Sequence, residues 1–98
     1  MFFELYPGLW VSDYKSYPNI KKYGIDSVIN LTKHKVNRSI PHTPETIPRL
    51  IYSLSSKNIV YLISSEGHLK YLIKYLIEYA KVDERTALQY IQGKYYLL

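Results

Sequence analysis

Cysteine is absent from this 98-residue chain. That absence excludes disulfides, thiolate catalysis and thiolate metal ligands at once. Long apolar runs are missing too. The longest strictly aliphatic and aromatic stretch, Ile59 to Ile63, is far too short to span a bilayer as a helix. No basic segment followed by an apolar core opens the chain, so no signal peptide is expected and a cytoplasmic location is the default expectation. Blocks of like charge do not exceed Lys21-Lys22, so there is no basic tail. Internal repeats and low-complexity segments are also lacking. One methionine and no cysteine, beside abundant Tyr, Ile and Lys, lean toward a heat-tolerant source or an AT-rich genome.

What is present is tyrosine, twelve times. Tyrosine supplies a large apolar body that tolerates water at one end, which suits the edges of a small core and also suits an interface. The net charge of +5 and the pI of about 9.3 admit nucleic acid, an acidic protein or a phosphorylated group as partner and demand none of them. The length fits one small domain over residues 1–98.

Along the chain, residues 2–6, Pro7-Gly8 and residues 9–12 read as a β-hairpin. Ser12 or Asp13 is expected to start a short helix interrupted by Pro18 and ended by Gly24. Residues 25–31 form a second strand pattern with Val28, Ile29 and Leu31 at its centre. Lys33 to Ser39 is polar and basic, hence a loop, and Ile40-Pro41 reads as a vestigial strand end. Thr43-Pro44-Glu45-Thr46 is a helix start, with Ile47, Leu50, Ile51 and Leu54 facing inward. Ser55 to Asn58 is a turn. Ile59–Ile63 is apolar throughout, as a strand covered on both faces should be. From Leu69 the residues Leu72, Ile73, Leu76, Ile77 and Ala80 repeat at helical spacing, with Tyr71, Tyr75 and Tyr79 on one flank. Asp83 caps a last helix with Ala87, Leu88 and Ile91 inward and Gly93 as its stop, followed by an apolar tail from Lys94 to Leu98. Alternating strands and helices predict an α/β fold: a small, mostly parallel sheet with helices on both faces.

Asn58 to Lys70 is the stretch that carries chemistry. A buried strand runs into a loop with one glycine and then a helix N-terminus, which is the construction of a phosphate site. Its outline resembles the H-C-x-x-G-x-x-R-(S/T) loop of the cysteine-dependent protein phosphatases. Tyr6-Pro-Gly-Leu-Trp-Val-Ser-Asp13 is similar to the opening hairpin of the dual-specificity and archaeal-type members. Tyr23-Gly-Ile-Asp-Ser-Val-Ile-Asn-Leu-Thr32 resembles the strand that follows in them, and Val82 to Leu88 their helix behind the loop. The resemblance covers most of the chain in the family's order and implies a truncated phosphatase-like fold.

The family's chemistry is not carried over with it. The resemblance puts Ser64 at the nucleophilic cysteine, Lys70 at the phosphate-gripping arginine and Ile63 at the histidine before the nucleophile. A serine hydroxyl lacks the ready thiolate, and a lysine lacks the planar two-pronged donor. Ser39 to Glu45 takes the place of the loop that carries the general-acid aspartate, and it holds only His42 and Glu45 as proton carriers. The resemblance therefore implies a phosphatase-like protein without catalysis and without a cofactor. Its degenerate phosphate loop is Ser64, Ser65, Glu66, Gly67, His68, Leu69 and Lys70. Loop amides, the following helix and Lys70 would hold an anion there, while Glu66 opposes it by charge.

The function expected on these grounds is a binding module for a phosphorylated or acidic protein partner. Its reduced size fits a viral or accessory protein that interferes with host signalling in the host cytoplasm. Two alternatives stay open. Lys33, Lys35 and Arg38 form a basic rim that nucleic acid would neutralise, a less favoured partner because no aromatic–basic interleaving accompanies it. The tyrosine flank and the Tyr95-Tyr96-Leu97-Leu98 tail would serve a homodimer or a structural role. His34, His42 and His68 share no metal-ligand spacing, and a Ser64, His68 and Asp83 triad lacks the G-x-S-x-G elbow.

Overall fold

The computed structural model describes residues 2–54 and 57–96. Strands β1 (Phe2–Tyr6) and β2 (Leu9–Asp13) form the hairpin around Pro7-Gly8. Gly8 has a φ of 86°, and a Cβ there would meet the Lys57 carbonyl oxygen at 2.9 Å. Only glycine fits that turn, whose own carbonyl accepts the Ile59 amide at 2.8 Å. Helix α1 (Tyr17–Ile20) and a 3-10 turn (Lys21–Tyr23) follow, ended by Gly24 in the left-handed region with φ 73°.

Strand β3 (Ser27–Asn30) precedes a 3-10 turn (Pro44–Thr46), helix α2 (Ile47–Ser53) and strand β4 (Ile59–Ile63). A further 3-10 turn (Glu66–Leu69) leads into α3 (Lys70–Glu78), and α4 (Glu84–Tyr96) closes the described chain. Short-range chemistry accounts for the starts. The Thr43 amide donates to Thr46 Oγ1 at 3.0 Å, and the Thr86 amide donates to Asp83 Oδ1 at 3.0 Å.

The sheet runs β1-β2-β4-β3. Its hairpin pair is antiparallel, while β2 and β3 both lie parallel to β4. Alternate residues of each strand point to opposite faces. Leu9, Val11, Ile29, Ile59, Tyr61 and Ile63 pack under α2, α3 and α4 through Ile47, Ile51, Leu72, Leu76, Ala87 and Ile91. Val28, Val60 and Leu62 pack on the other side against Tyr17, Ile20 and Ile25. Every residue of β4 is buried because both faces are covered. The α/β architecture with helices on both faces is therefore the one the sequence pattern predicts.

Four local expectations are corrected. Ser12 and Asp13 do not start a helix; they are the last rungs of β2, paired with Leu62 and Ile63. Asp13 Oδ1 instead accepts the Ser16 amide at 2.8 Å, which turns the chain into α1 four residues later. Gly93 does not stop α4, which continues to Tyr96 and leaves no separate tail before residue 97. Leu88 is 38% exposed rather than inward, on the rim of a groove between α4 and the start of α3. The vestigial pairing is a bridge from Ser39 to Val28 that includes the Ile40 amide on the Val28 carbonyl at 2.9 Å and stops short of Pro41, which has no amide to give. Ser55 and Ser56 of the expected turn, and Leu97 and Leu98 of the expected dimer tail, lie outside the described residues. No helix among the described residues is long and apolar enough to cross a membrane.

Candidate functional site

The loop after β4 is shaped by four hydrogen bonds. The Tyr61 hydroxyl donates to the His68 carbonyl at 2.6 Å, and the Ser64 amide donates to His68 Nδ1 at 3.3 Å. The His68 amide donates to the Ser65 carbonyl at 3.1 Å, and the Lys70 amide to the Gly67 carbonyl. Leu69 is buried beneath them and pins the turn to the core. A Cβ on Gly67 would meet nothing closer than Ser65 Oγ at 3.7 Å, so sterics do not demand glycine there.

Two titrating groups follow from this packing. Burial, with the Tyr71 phenol adding to it, raises the Tyr61 hydroxyl far above its ordinary value, so it stays protonated and remains a donor. Burial and then the Lys70 charge lower His68 below its ordinary value of 6.5. The neutral ring accepts at Nδ1, which assigns its proton to Nε2 through the hydrogen-bond network. The imidazole that reaches Ser64 thus takes its amide and is not placed as a base on its hydroxyl.

The residues of the loop open onto three separate hollows. Ser64 lines a cavity of about 310 Å³ with Asp13, Tyr14, Thr32, Lys33 and His34. His68 lines a second, of about 320 Å³, with His42, Asn30, Thr32 and Tyr71. Glu66, Gly67, Leu69 and Lys70 line a groove of about 270 Å³ against Leu88 and Ile91 of α4. Lys70 Nζ lies 5.2 Å from the centre of the Tyr71 ring, a cation–π contact that draws it toward α3. The structure therefore brings Ser64 and Lys33 together, brings His68 and His42 together, and sets Lys70 in a different hollow from Ser64.

The basic rim divides in the same way. Lys33 faces the Ser64 cavity and Lys35 is exposed. Arg38 has a φ of 65° and sends Nη1 to the Ile25 carbonyl at 2.6 Å, where it ties the loop to the α1 side of the sheet. His42 Nδ1 is 3.0 Å from the Ile40 carbonyl, and Glu45 is exposed in the turn before α2. Among the described residues no group of three or more His, Asp or Glu side chains could hold a metal ion.

Sequence reasoning missed the wall of the Ser64 cavity. Asn30 Oδ1 accepts both the amide and the hydroxyl of Thr32, at 2.9 and 2.6 Å, and Asn30 Nδ2 donates to the His34 carbonyl at 2.6 Å. That folds residues 30–34 into a tight turn, and His34 stacks on Tyr14 with ring centres 3.8 Å apart. The Asn-x-Thr spacing was a readable turn signal; the stack, between residues on separate loops, was not.

The cavity has a topological address. β2 continues into α1 on one face of the sheet, whereas its neighbour β4 continues into α3 on the other. Where neighbouring parallel strands send their connections to opposite faces, a crevice opens beyond their carboxyl ends, and α/β proteins place ligands there. Asp13 and Ser64 are the residues at its two lips.

No protein-family model matches the sequence, and no curated protein matches it either. Solved structures do. The human tyrosine phosphatase-like serine/threonine/tyrosine-interacting protein superposes with a TM-score of 0.68, covering 97% of this chain and 84% of that one at 16% identity. The chain has a tyrosine-phosphatase-like fold. At that identity the likeness speaks for the architecture, and the roles of individual residues rest on their own geometry.

Proposed function

We propose that this phosphatase-like chain is a non-catalytic binding module that takes a phosphorylated or acidic segment of a protein partner at the loop after β4. The observation that carries the reading is a ligand crevice kept at the carboxyl ends of the strands in a chain with no cysteine. A phosphoryl group can be held by charge and hydrogen bonds alone, whereas transferring it in this fold's usual way needs a nucleophile that leaves easily. Ser64, which the resemblance puts at the nucleophile's place, has its amide on an imidazole and is exposed to solvent. The neighbour's name describes a protein that interacts with serine, threonine and tyrosine, and a binding role for this chain is compatible with that. The nucleic-acid alternative loses support because Arg38 is turned away from the rim.

The test is paired. With p-nitrophenyl phosphate the protein is expected to show no turnover above buffer. In calorimetry with a tyrosine-phosphorylated peptide and its unphosphorylated twin, only the first is expected to bind. Turnover that disappears in Ser64→Ala, or equal binding of the two peptides, overturns the reading.

A further inference from the structure

We propose that Lys33, on the loop after β3, is the cation that holds the anion, in place of Lys70, and that Asp13 limits how tightly it is held. The inference rests on the binding reading above and sharpens it to particular side chains.

Lys70 occupies the position that the sequence pattern favours, but its ammonium lies over Tyr71 and its flank faces Leu88 and Ile91 of α4. An anion there would have Glu66 in the same groove. Lys33 shares its cavity with Ser64, at the crevice where the connections of β2 and β4 part. The turn that carries Lys33 is fixed on both sides, by Asn30 on Thr32 and by the Tyr14–His34 stack. A fixed turn reduces the ordering cost of placing a flexible ammonium on a ligand. Ser64 adds a hydroxyl group to the same lining, whereas the Thr32 hydroxyl is already given to Asn30.

Asp13 faces that cavity as well. Burial raises its carboxyl, but hydrogen bonding from Ser16 and from the chain's amino terminus outweighs this and holds it below its ordinary value of 3.8, so it is a carboxylate at neutral pH. Lys33 and the Asp13 carboxylate, the latter already hydrogen-bonded by Ser16, line a single cavity, which makes a weak site for a phosphate monoester presented on a peptide. The affinity gained from Lys33 is partly returned at Asp13, and removing either charge shifts binding in opposite directions.

The experiment titrates phosphotyrosine into the isotope-labelled full chain and follows the backbone amide signals. Lys33→Ala is expected to weaken binding roughly tenfold, the scale of one charge-assisted hydrogen bond. Asp13→Asn, which keeps the oxygen that accepts the Ser16 amide, is expected to tighten it several-fold, and Lys70→Ala is expected to leave it unchanged. The shifted signals should centre on residues 13–14, 32–34 and 64. Loss of binding in Lys70→Ala with Lys33→Ala unaffected overturns this inference while leaving the binding reading intact. Equal small losses in both variants also overturn it, since they would report diffuse charge alone. Absence of any binding by the unmodified protein, with either phosphotyrosine or the phosphopeptide, removes the binding reading and this inference together.

Discussion

Tyr61 is fully buried on the central strand, yet it carries a polar atom, and that atom donates to the backbone of the loop at His68. The arrangement fixes the loop in two ways. The ring fills the core beneath α3, and the hydroxyl stops the 3-10 turn from lifting off the strand. Tyr61→Phe keeps the ring and removes the bond, leaving the His68 carbonyl without this donor. The expected cost is about 1–2 kcal/mol, because an abandoned carbonyl forfeits more than the net worth of one hydrogen bond. For a domain of this size that lowers Tm by about 4–8 °C per kcal/mol, read by circular dichroism. Amide exchange at residues 64–68 should rise with it. Tyr52→Phe is the control, since that side chain is 54% exposed and its substitution should leave Tm unchanged. An unchanged Tm in Tyr61→Phe would mean the Tyr61 hydroxyl adds nothing to holding the loop.

At the scale of elements, α4 separates what local chemistry writes from what it does not. Asp83 was legible as a cap because a cap is one side chain reaching an amide three residues on. Gly93 read as a stop, but glycine only lowers helix propensity, and the helix continues through it with open space around its Cα. Gly93→Ala is therefore expected to stabilise the protein by about 0.5–1 kcal/mol, checked as a rise in urea midpoint with an unchanged slope. A fall would show that the position needs glycine after all. The same division explains Asp13. A carboxylate on an amide three residues later looks alike in a helix cap and in the turn after a strand. Only the ladder to Ile63, fifty residues distant in sequence, decides between them. β4 and the inward stripe of α3 were legible because their periodicity is local. The Ser64 cavity was half legible: the loop could be read, but the partners that Tyr14, Thr32, Lys33 and His34 bring to it depend on the strand order.

For the molecule as a whole, the titrating groups set a one-sided response to acid. Burial and Lys70 hold His68 below 6.5 in the folded state, so the unfolded chain takes up the proton first as pH falls. The stability that comes from a neutral His68 is complete above the unfolded value of 6.5 and is lost as pH drops through the lower folded value. Asp83, held down by its bonds from Thr86, and Asp13, raised by burial but held down overall by Ser16 and the amino terminus, act in the same direction but nearer 3.8. Acid therefore destabilises in two stages, an imidazole stage below pH 6.5 and a carboxylate stage below about 4. Tm is expected to be level from pH 8 to 7 and to fall as pH drops below 6.5. The first stage should shrink in His68→Asn, whose side-chain oxygen can stand in for Nδ1 as acceptor for the Ser64 amide and does not titrate. If the fall below pH 6.5 is as large in His68→Asn as in the unmodified protein, the acid response arises elsewhere than at His68.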